Sequence, residues 1–416
     1  MSKILIHSIA FSPDGVSTAY LYNDIASKFK EFGYDVSVIT TTPHYNVIQE
    51  ELVKQPLKPV LGGIYYKSNY NGIPIKHIPQ KKFKSSLLRI LGFVYWHIMA
   101  LIIGLFQKKV DIILSPSPPL TIGIINVILC KIKGSKSIYN VQEIYPDLMI
   151  ESGILKSGFL IKFLKRIEKY VYNKSDLVTT IDEMFFRTIV GRFRYPKKLH
   201  IVPNFVDTSM YHALTPENLV LDPVMFPPTD YIKVMYAGNI GHAQDWEPLV
   251  QLALRLKDEK VVFFVIGEGV LKDSLKKSIE QYNLTNLNLL PYQPRNDIPS
   301  ILSYSDIQFI FMSPKTENHG FPSKVYTIMA CGKPLLICSG QNTPIVNFLS
   351  DKNCSFIVSE KELEKKVDIM SDYLKNVNVN DLKKLGNNGM NIIKKHYSKE
   401  VVTKQYVKLV SDLINS

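Results

Sequence analysis

Short apolar runs recur along the chain, separated by longer segments of mixed polarity. In the first half these runs are KILIHSI, DVSVITT, DIILSPSPPL, SKSIYNV and DLVTTID; in the second they are KVMYAGN, VVFFVIGEG, NLNLLPY, IQFIFMS and PLLICSG. A stretch with helical periodicity, Tyr20–Phe32, lies between the first two runs and ends at Gly33. Strands that alternate with helices are typical of parallel α/β domains. The pattern therefore predicts two α/β domains, because 416 residues are too many for one ordinary core.

The alternation is interrupted by a segment rich in proline and acid, PENLVLDPVMFPPTD at 216–230. We place the domain linker there or just before it, after IVPNFVD. The predicted domains are residues 1–207 and 208–396. The last helix, about 397–416, is expected to pack back on the first domain.

One segment is more apolar than a soluble domain needs. Leu87–Phe106 reads LLRILGFVYWHIMALIIGLF, with Arg89 and His97 as its strongly polar members. It is either a transmembrane helix or a helix that is buried or lies on a membrane. Its two polar residues and two glycines weaken the spanning alternative. Neighbouring cations favour a position on an anionic leaflet: Lys76, Lys81, Lys82, Lys84, Lys108 and Lys109.

Charge is distributed unevenly between the two halves. The formal net charge is +13, and residues 1–200 hold 27 Lys and Arg against 14 Asp and Glu, whereas residues 201–416 hold 23 of each. Residues 51–110 hold ten basic residues and one acid, Glu51. The first domain is therefore expected to face an acidic partner: anionic lipid, polyphosphate or nucleic acid.

The cysteines and the N-terminus favour a cytoplasmic protein. The four cysteines have neither metal-ligand spacing nor the density of a disulfide scaffold, which fits a reducing compartment. The N-terminal MSKILIHSIAFSPDG lacks the features of a signal peptide. No Asp-x-Asp occurs to bind a metal, and we expect no metal or other cofactor.

Glycine-containing turns follow three of the predicted strands. They are SPDGVSTAY with Gly15, YAGNIGHAQD with Gly238 and Gly241, and IGEGVLKDSL with Gly267 and Gly269. A strand–glycine–helix turn lets backbone N–H groups approach an anion, although a single such turn is more often only a tight connection. The two turns of the second domain should meet at the carboxyl edge of one sheet, where α/β proteins bind ligands.

A lysine stands at the start of a predicted helix in HGFPSKVYTIMACGKP, residues 319–334. The free N–H groups of a helix start favour an anion, so a cation beside them suggests that an anion lies between. Either Lys324 and these N–H groups bridge a diphosphate, or Lys324 is a surface lysine next to an N-cap Ser323.

Several of these stretches together resemble glycosyltransferase family 4. The closest pattern is that of the bacterial surface-polysaccharide branch, including N-acetyl-fucosaminyltransferases of O-antigen and capsule assembly. The matching stretches are FGYDVSVITTTPHYN, VQEIYPDLMIESG, IVPNFVD, YAGNIGHAQDWEPLV, VIGEGVLKDSL, LLPYQPRNDIP and HGFPSKVYTIMACGKPLL. The resemblance covers nearly the whole chain. It implies the α/β GT-B fold, with two facing Rossmann-like domains, parallel sheets and a central cleft.

The resemblance also implies a donor site, which lies on the second domain apart from Gly15 of the first. Its expected donor-binding residues are Gly15, Gly238, Asn239, Gly241, Gln244, Asp245, Gly267, Glu268, Arg295, His319, Gly320, Phe321, Pro322, Ser323, Lys324 and Thr327. His319 and Thr327 stand where many family members have two glutamates. The Arg and Lys that many members aim at the diphosphate are absent, and the turn offers Asn239 and Gln244 instead. Lys324 is the replacement charge.

Two residues are expected to be catalytic, Glu143 and Lys324. Glu143 lies in NVQEIYPD, where the family pattern has a carboxylate. It would accept the proton of the acceptor hydroxyl or hold a sugar hydroxyl; alternatively it only begins a helix. Asp245 and Glu268 either hold donor hydroxyls or are solvated carboxylates at helix starts.

The function implied is that of a retaining, metal-independent glycosyltransferase. Its donor would be a UDP- or GDP-sugar and its acceptor a lipid-linked (polyprenyl diphosphate) saccharide. It would lie peripherally on the inner face of the cell membrane. The alternatives are a nucleotide-sugar epimerase of the same fold, or a basic, non-catalytic protein that binds membranes or nucleic acid. We expect no nucleic-acid partner, since nothing resembles a recognition helix or an RNA-binding sheet.

Overall fold

A computed structural model describes residues 1–82, 84–318 and 321–415. The chain divides into two compact units, residues 1–204 with 402–416 and residues 205–401. The predicted boundary after residue 207 lies close to this division. Segment 216–230 belongs to the second unit rather than linking the two: Phe226 is buried there, and its ring stacks on Phe264 with centroids 6.3 Å apart.

The first unit contains a nine-stranded sheet. Its strands are β1 (Lys3–His7), β2 (Asp35–Thr41), β3 (Lys58–Val60), β4 (Tyr65–Tyr70), β5 (Ile73–Ile78), β6 (Ile112–Ser117), β7 (Lys136–Val141), β8 (Leu177–Thr180) and β9 (Leu199–Ile201). The order is β3-β4-β5-β2-β1-β6-β7-β8-β9. The part from β5 to β9 is parallel, as the alternating pattern predicts. The antiparallel edge β3-β4-β5 was not predicted.

The helices of the first unit cover the parallel sheet. They are α1 (Ser17–Glu31), α2 (Gln49–Lys54), α3 (Ser86–Leu105), α4 (Ile122–Lys133), α5 (Asp147–Glu151), α6 (Gly158–Lys174) and α7 (Glu183–Ile189). Aromatic side chains from both layers meet in the core, where Trp96, Tyr139 and Tyr172 are fully buried.

The second unit contains a six-stranded, fully parallel sheet. Its strands are β10 (Ile232–Ala237), β11 (Val261–Ile266), β12 (Leu287–Leu290), β13 (Ile307–Phe311), β14 (Leu335–Cys338) and β15 (Ser355–Val358). Its helices are α8 (Glu247–Arg255), α9 (Lys272–Gln281), α10 (Ile298–Tyr304), α11 (Lys324–Ala330), α12 (Pro344–Leu349), α13 (Leu363–Asn376) and α14 (Val379–Ile392). A last helix, α15 (Lys399–Asn415), has most of its residues in the first unit.

The strand order β12-β11-β10-β13-β14-β15 determines where a ligand can bind in this unit. From β10 the chain adds strands towards one edge of the sheet (β11, β12), and from β13 it adds them towards the other edge (β14, β15). Successive connections therefore leave on opposite faces there, and a crevice opens beyond the carboxyl ends of these two strands. The turn after β10 carries Gly238, so the predicted donor turn lies at this point.

The long apolar segment forms α3, which packs along the first unit by one face. Leu87–Leu105 is the one helix in the described ranges that is long and apolar enough to cross a membrane, and 22% of its most apolar window is buried. Trp96 and Ala100 lie in the core. Lys133 of α4 donates to the carbonyl oxygens of Leu105 (2.9 Å) and Gln107 (2.7 Å). The other face of α3 exposes large apolar side chains.

Candidate functional site

Two glycine turns pack against each other at the carboxyl edge of the second sheet. The N–H of Gly238 donates to the Ile266 carbonyl and the N–H of Ile240 to the Glu268 carbonyl, both at 2.9 Å. Gly267 has φ +144°, and a Cβ atom there would overlap the carbonyl oxygen of Gly238. Only glycine fits such a close approach of two backbones. The two turns predicted in this domain therefore form one structure.

The first of these turns leaves two backbone donors open. In the described part of the chain, the N–H groups of Asn239 and Gly241 have no hydrogen-bond partner. Their carbonyl groups are occupied: the Tyr236 hydroxyl donates to Asn239 at 2.8 Å and Trp246 Nε1 donates to Gly241 at 3.3 Å. Backbone N–H groups need partners, so this turn can receive an anionic ligand.

Lys324 extends from the start of α11 to the same turn. Its Nζ donates to the Ala237 carbonyl at 3.1 Å and lies 3.6 Å from the centroid of the Tyr236 ring. A Cβ atom on Gly238 would overlap this nitrogen. Burial lowers the pKa of Lys324 to about 7, and no carboxylate opposes that shift. The site thus holds a desolvated cation beside two open N–H donors.

The alternative of a surface lysine next to an N-cap serine is wrong. Ser323 makes no side-chain capping bond, and Lys324 points into the unit. Thr327, one turn further along α11, donates its hydroxyl to the Lys324 carbonyl at 2.8 Å. Its oxygen keeps only acceptor capacity, so it could receive a bond from a ribose hydroxyl but has no proton left to give.

The Gln244 side chain is buried and directed into the unit, which corrects its assignment to the donor site. It is only 8% exposed, and its Nε2 contacts the Ala243 carbonyl (3.3 Å) and the Met312 sulfur (4.0 Å). Its Oε1 is buried with no hydrogen-bond partner in the described residues. The backbone of Gln244 also pairs with that of Met312, the residue that follows β13.

The two acidic candidates differ in their surroundings. Asp245 is half-buried, and its N–H donates to the Phe311 carbonyl at 2.8 Å, which fixes this carboxylate beside the end of β13. Glu268 is exposed and forms an ion pair with Lys272 of α9 at 2.6 Å, which lowers the pKa of Glu268. The structure therefore keeps Asp245 as a candidate, whereas Glu268 is a solvated carboxylate paired with the first residue of α9.

The remaining predicted residues of this unit have mixed outcomes. Phe321 is held by aromatic packing, because its ring lies against Phe348 (4.9 Å between centroids) and Tyr326 (5.3 Å). The Pro322 carbonyl accepts from the Val325 N–H at 3.0 Å. Arg295 lies in a short turn after β12, whose last residue Leu290 accepts from the Gly267 N–H at 3.2 Å. His319 and Gly320 lie outside the described residues.

A carboxylate missed in the sequence lies near the same sheet edge. Oε2 of Glu317 accepts from the Gly340 N–H (2.8 Å) and the Ser339 hydroxyl (3.1 Å), just beyond the end of β14. Its other oxygen has no such bond among the described residues. The only signal available was an acid two positions before His319 in TENHGFPSK.

Glu143 lies just after β7 at the carboxyl edge of the first sheet. It is half-buried, and burial raises the pKa of its carboxyl group, while a hydrogen bond from the Tyr145 side chain acts in the opposite direction. The Ser117 hydroxyl donates to the Glu143 carbonyl at 3.0 Å and holds the loop. No helix begins at this residue, because α5 starts at Asp147. The helix-start alternative is therefore wrong for Glu143.

The turn at Gly15 is closed by its own chain, which corrects its assignment to the donor site. The Gly15 N–H donates to the Asn46 carbonyl, and Asn46 Nδ2 donates back to the Gly15 carbonyl, both at 2.9 Å. The adjacent Asp14 carboxylate accepts from the N–H groups of His44, Tyr45 and Asn46. An anion already occupies this loop, namely Asp14 itself.

The described ranges contain no group of three or more His, Cys, Asp or Glu that could hold a metal ion.

Comparison with known families divides the chain in the same way. Residues 19–210 match the family described as Glycosyltransferase Family 4, and residues 222–391 match Glycosyl transferases group 1. The chain is 23% identical over 355 residues to the putative colanic acid biosynthesis glycosyl transferase WcaI of Escherichia coli, which covers 82% of this chain and 84% of that protein. It is 21% identical over 313 residues to the probable glycosyltransferase WbjE of Pseudomonas aeruginosa, covering 74% and 76%.

Solved structures share the whole architecture at low sequence identity. Anabaena HepE in complex with UDP superposes with a TM-score of 0.71 at 14% identity, covering 99% of this chain and 100% of that one. The predicted fold is thereby confirmed. The chain is a glycosyltransferase of the GT-B type, built from a family 4-like domain followed by a group 1 domain.

Proposed function

We propose that the protein is a retaining glycosyltransferase that moves a sugar from a UDP- or GDP-sugar to a lipid-linked saccharide. The acceptor would be a polyprenyl diphosphate saccharide in capsule, O-antigen or exopolysaccharide synthesis. The name of WcaI, a putative colanic acid biosynthesis glycosyl transferase, supports a polysaccharide pathway, and the UDP complex of HepE supports a nucleotide-sugar donor. Membership of the N-acetyl-fucosaminyltransferase branch is part of the proposal and rests on the motif pattern.

The observation that carries the proposal is the position of Lys324 beside the open turn. A nucleoside diphosphate gains negative charge as it leaves the sugar. Positioned donors that meet this charge stabilise the transition state. The Lys324 ammonium and the N–H groups of Asn239 and Gly241 are such donors. They supply the positive field themselves, so we propose that no metal is required.

Lys324 has the protonation behaviour that this role needs. Its pKa is lowered to about 7 because the buried ammonium lacks compensation. A bound diphosphate would provide the missing opposite charge and raise the pKa again. Binding would therefore hold the lysine in its charged form.

We assign Glu143 to the acceptor. Its raised pKa makes the carboxylate a stronger base than an exposed glutamate, which suits removal of a proton from a sugar hydroxyl. A lipid-linked acceptor would place the enzyme peripherally on the inner face of the cell membrane. The basic surplus of residues 1–200 and the exposed apolar side of α3 support that location.

The test is a donor panel with purified protein. UDP- and GDP-sugars are incubated with and without an extract of lipid-linked saccharides, and release of the nucleoside diphosphate is measured. We expect one donor to release its nucleotide mainly with acceptor present, and the anomeric configuration in the product, measured by NMR, to equal that of the donor. Unchanged turnover after chelation with EDTA would support metal independence. Conversion of a donor to its epimer with no acceptor present would instead establish the epimerase.

A further inference from the structure

Three neighbouring helices of the first unit present an outer surface without acidic side chains. Neither α3 nor α4 contains Asp or Glu, and the single acid of α6, Glu168, is 2% exposed. The same helices carry exposed cations, among them Lys131, Lys162 and Arg166. We call this surface the α3–α4–α6 face.

The three helices lie side by side, with α4 in the middle. Gly104 of α3 lies against Leu129 of α4, where an added Cβ would come within 2.7 Å of the leucine Cδ1. On the other side, Gly123 of α4 lies so close to Val171 of α6 that an added Cβ would overlap the valine. These close contacts join the outer surfaces of the three helices into one continuous face.

Large apolar side chains are exposed along this face. On α3 they include Leu87, Ile90 and Ile98, which are 65%, 60% and 52% exposed. On α6, Phe159 and Phe163 are 82% and 49% exposed and share a helical stripe with Lys162 and Arg166. A contiguous apolar surface of this kind marks a site of interaction.

We propose that the α3–α4–α6 face lies on an anionic lipid leaflet. The apolar side chains of α3, with Phe159 and Phe163, would enter the boundary between headgroups and acyl chains. Lys131, Lys162 and Arg166 would contact lipid phosphates. This arrangement of apolar residues and cations with no exposed acid is that of an interfacial helix, and the charge complements an anionic surface.

The structure supports a helix that lies on the membrane rather than one that crosses it. Trp96 and Ala100 of α3 are buried in the unit, and His97 Nε2 bonds to the Thr121 hydroxyl at 2.7 Å, next to α4. Crossing a bilayer would require α3 to leave these contacts. The inference uses the proposed lipid-linked acceptor only to explain why the enzyme would bind a membrane. The evidence for the membrane surface does not depend on the transfer chemistry.

The test is flotation of the full chain with vesicles that contain neither donor nor acceptor. Vesicles of phosphatidylcholine alone are compared with vesicles that also contain phosphatidylglycerol, at low and high salt. We expect binding to require phosphatidylglycerol and to weaken at high salt. The double variant Phe159→Ser/Phe163→Ser should bind the vesicles about tenfold more weakly or worse, because serine lacks the apolar ring that would insert into the membrane. Its control is Val220→Ser/Val224→Ser, at positions 78% and 87% exposed on the second unit.

A fluorescent label that reports depth in the bilayer distinguishes insertion of the helix from electrostatic attraction to the membrane surface. A fluorophore on Ile98→Cys should be quenched by brominated acyl chains, whereas the same label on Val224→Cys should not. Parental binding by the Phe159/Phe163 variant, or an unquenched label at residue 98, would overturn the inference. So would binding to native membranes but to no protein-free vesicle, which would indicate a membrane protein as the partner. Titration of UDP and GDP into the same variant reports separately on the donor site, so loss of vesicle binding alone leaves the proposed transfer intact.

Discussion

The ammonium nitrogen of Lys324 lies 3.6 Å from the centroid of the Tyr236 ring. The hydroxyl of that tyrosine donates to the Asn239 carbonyl at 2.8 Å. One aromatic residue thus supports the cation on its face and shapes the anion-binding turn with its edge. A cation over an aromatic face gains about 0.5–2 kcal/mol, which partly offsets the loss of hydration. A bound diphosphate would supply the rest of the stabilisation that the buried ammonium lacks.

Removing the Lys324 ammonium should weaken binding of the diphosphate selectively. A charge-assisted contact contributes about 1.5–3 kcal/mol, so Lys324→Ala should reduce affinity for UDP or GDP by about ten- to a hundredfold or somewhat more. Binding of the bare nucleoside should hardly change. Isothermal titration of both ligands gives the comparison, with Lys277→Ala, an exposed lysine of α9, as the control. An equal loss of affinity for both ligands, or no loss for either, would show that Lys324 does not hold the diphosphate.

The lowered pKa of Lys324 predicts that diphosphate binding depends on pH. The free protein loses the ammonium as pH rises through about 7. Above that pH the affinity for UDP or GDP should fall, approaching tenfold per pH unit, and binding should take up a proton. Lys324→Arg stays charged and should flatten the profile. Calorimetry in buffers of different ionisation enthalpy measures the proton uptake, and a flat parental profile between pH 6 and about 9 would contradict the expectation.

The same cation should make the free protein less stable. Because the folded-state pKa of Lys324 is below its unfolded value, the folded state disfavours the charged form, and this cost is fully present below pH 7. It decreases as pH rises from about 7 towards the unfolded value of about 10.5. Lys324→Met should therefore raise the melting temperature at pH 6, by roughly 2–4 °C for each kcal/mol recovered. Thermal unfolding at pH 6 and 9 tests this, and the gain should be smaller at pH 9.

Neutralising Glu143 should stop transfer while leaving the donor site intact. Glu143→Gln retains the shape of the side chain but cannot accept a proton. We expect transfer to fall by about a hundredfold or more, the usual contribution of a general base. Affinity for the donor nucleotide, measured by titration, should stay at the parental value. Transfer at the parental rate would show that Glu143 is structural.

Tyr145 offers a finer test of the state of Glu143. Its hydrogen bond lowers the pKa of the Glu143 carboxyl group, against the larger effect of burial. Tyr145→Phe removes that bond, so the pKa of Glu143 should rise and the acidic limb of the pH–rate profile should move to higher pH. A role in folding alone would change stability without moving this limb. The comparison is therefore made on kcat/KM across pH, which reports the free enzyme.

The local sequence determined most of the strands and the general character of both units. Runs such as VVFFVIGEG and IQFIFMS carry their own signal, because a strand buried on both faces must be apolar along its length. The same local reasoning found the turns at Gly238 and Gly267 and the lysine near them. The outer strands β3 and β4 were missed, since exposed or half-exposed antiparallel strands have a weaker pattern. The neighbouring β5 was missed as well, although most of it is buried, because proline, lysine and histidine interrupt its apolar run.

Only the tertiary structure decided which of these residues form a site. Gly15 and Gly238 follow similar strands, but a distant loop at Asn46 occupies the N–H of the first. After the second, the N–H groups of Asn239 and Gly241 have no partner among the described residues. Gln244 and Lys324 were both candidates for the diphosphate. One is directed into the unit against Met312, and the other reaches β10 from a helix start 87 residues further along the chain. Contacts between residues so far apart in sequence depend on strand order and packing, which local periodicity does not encode.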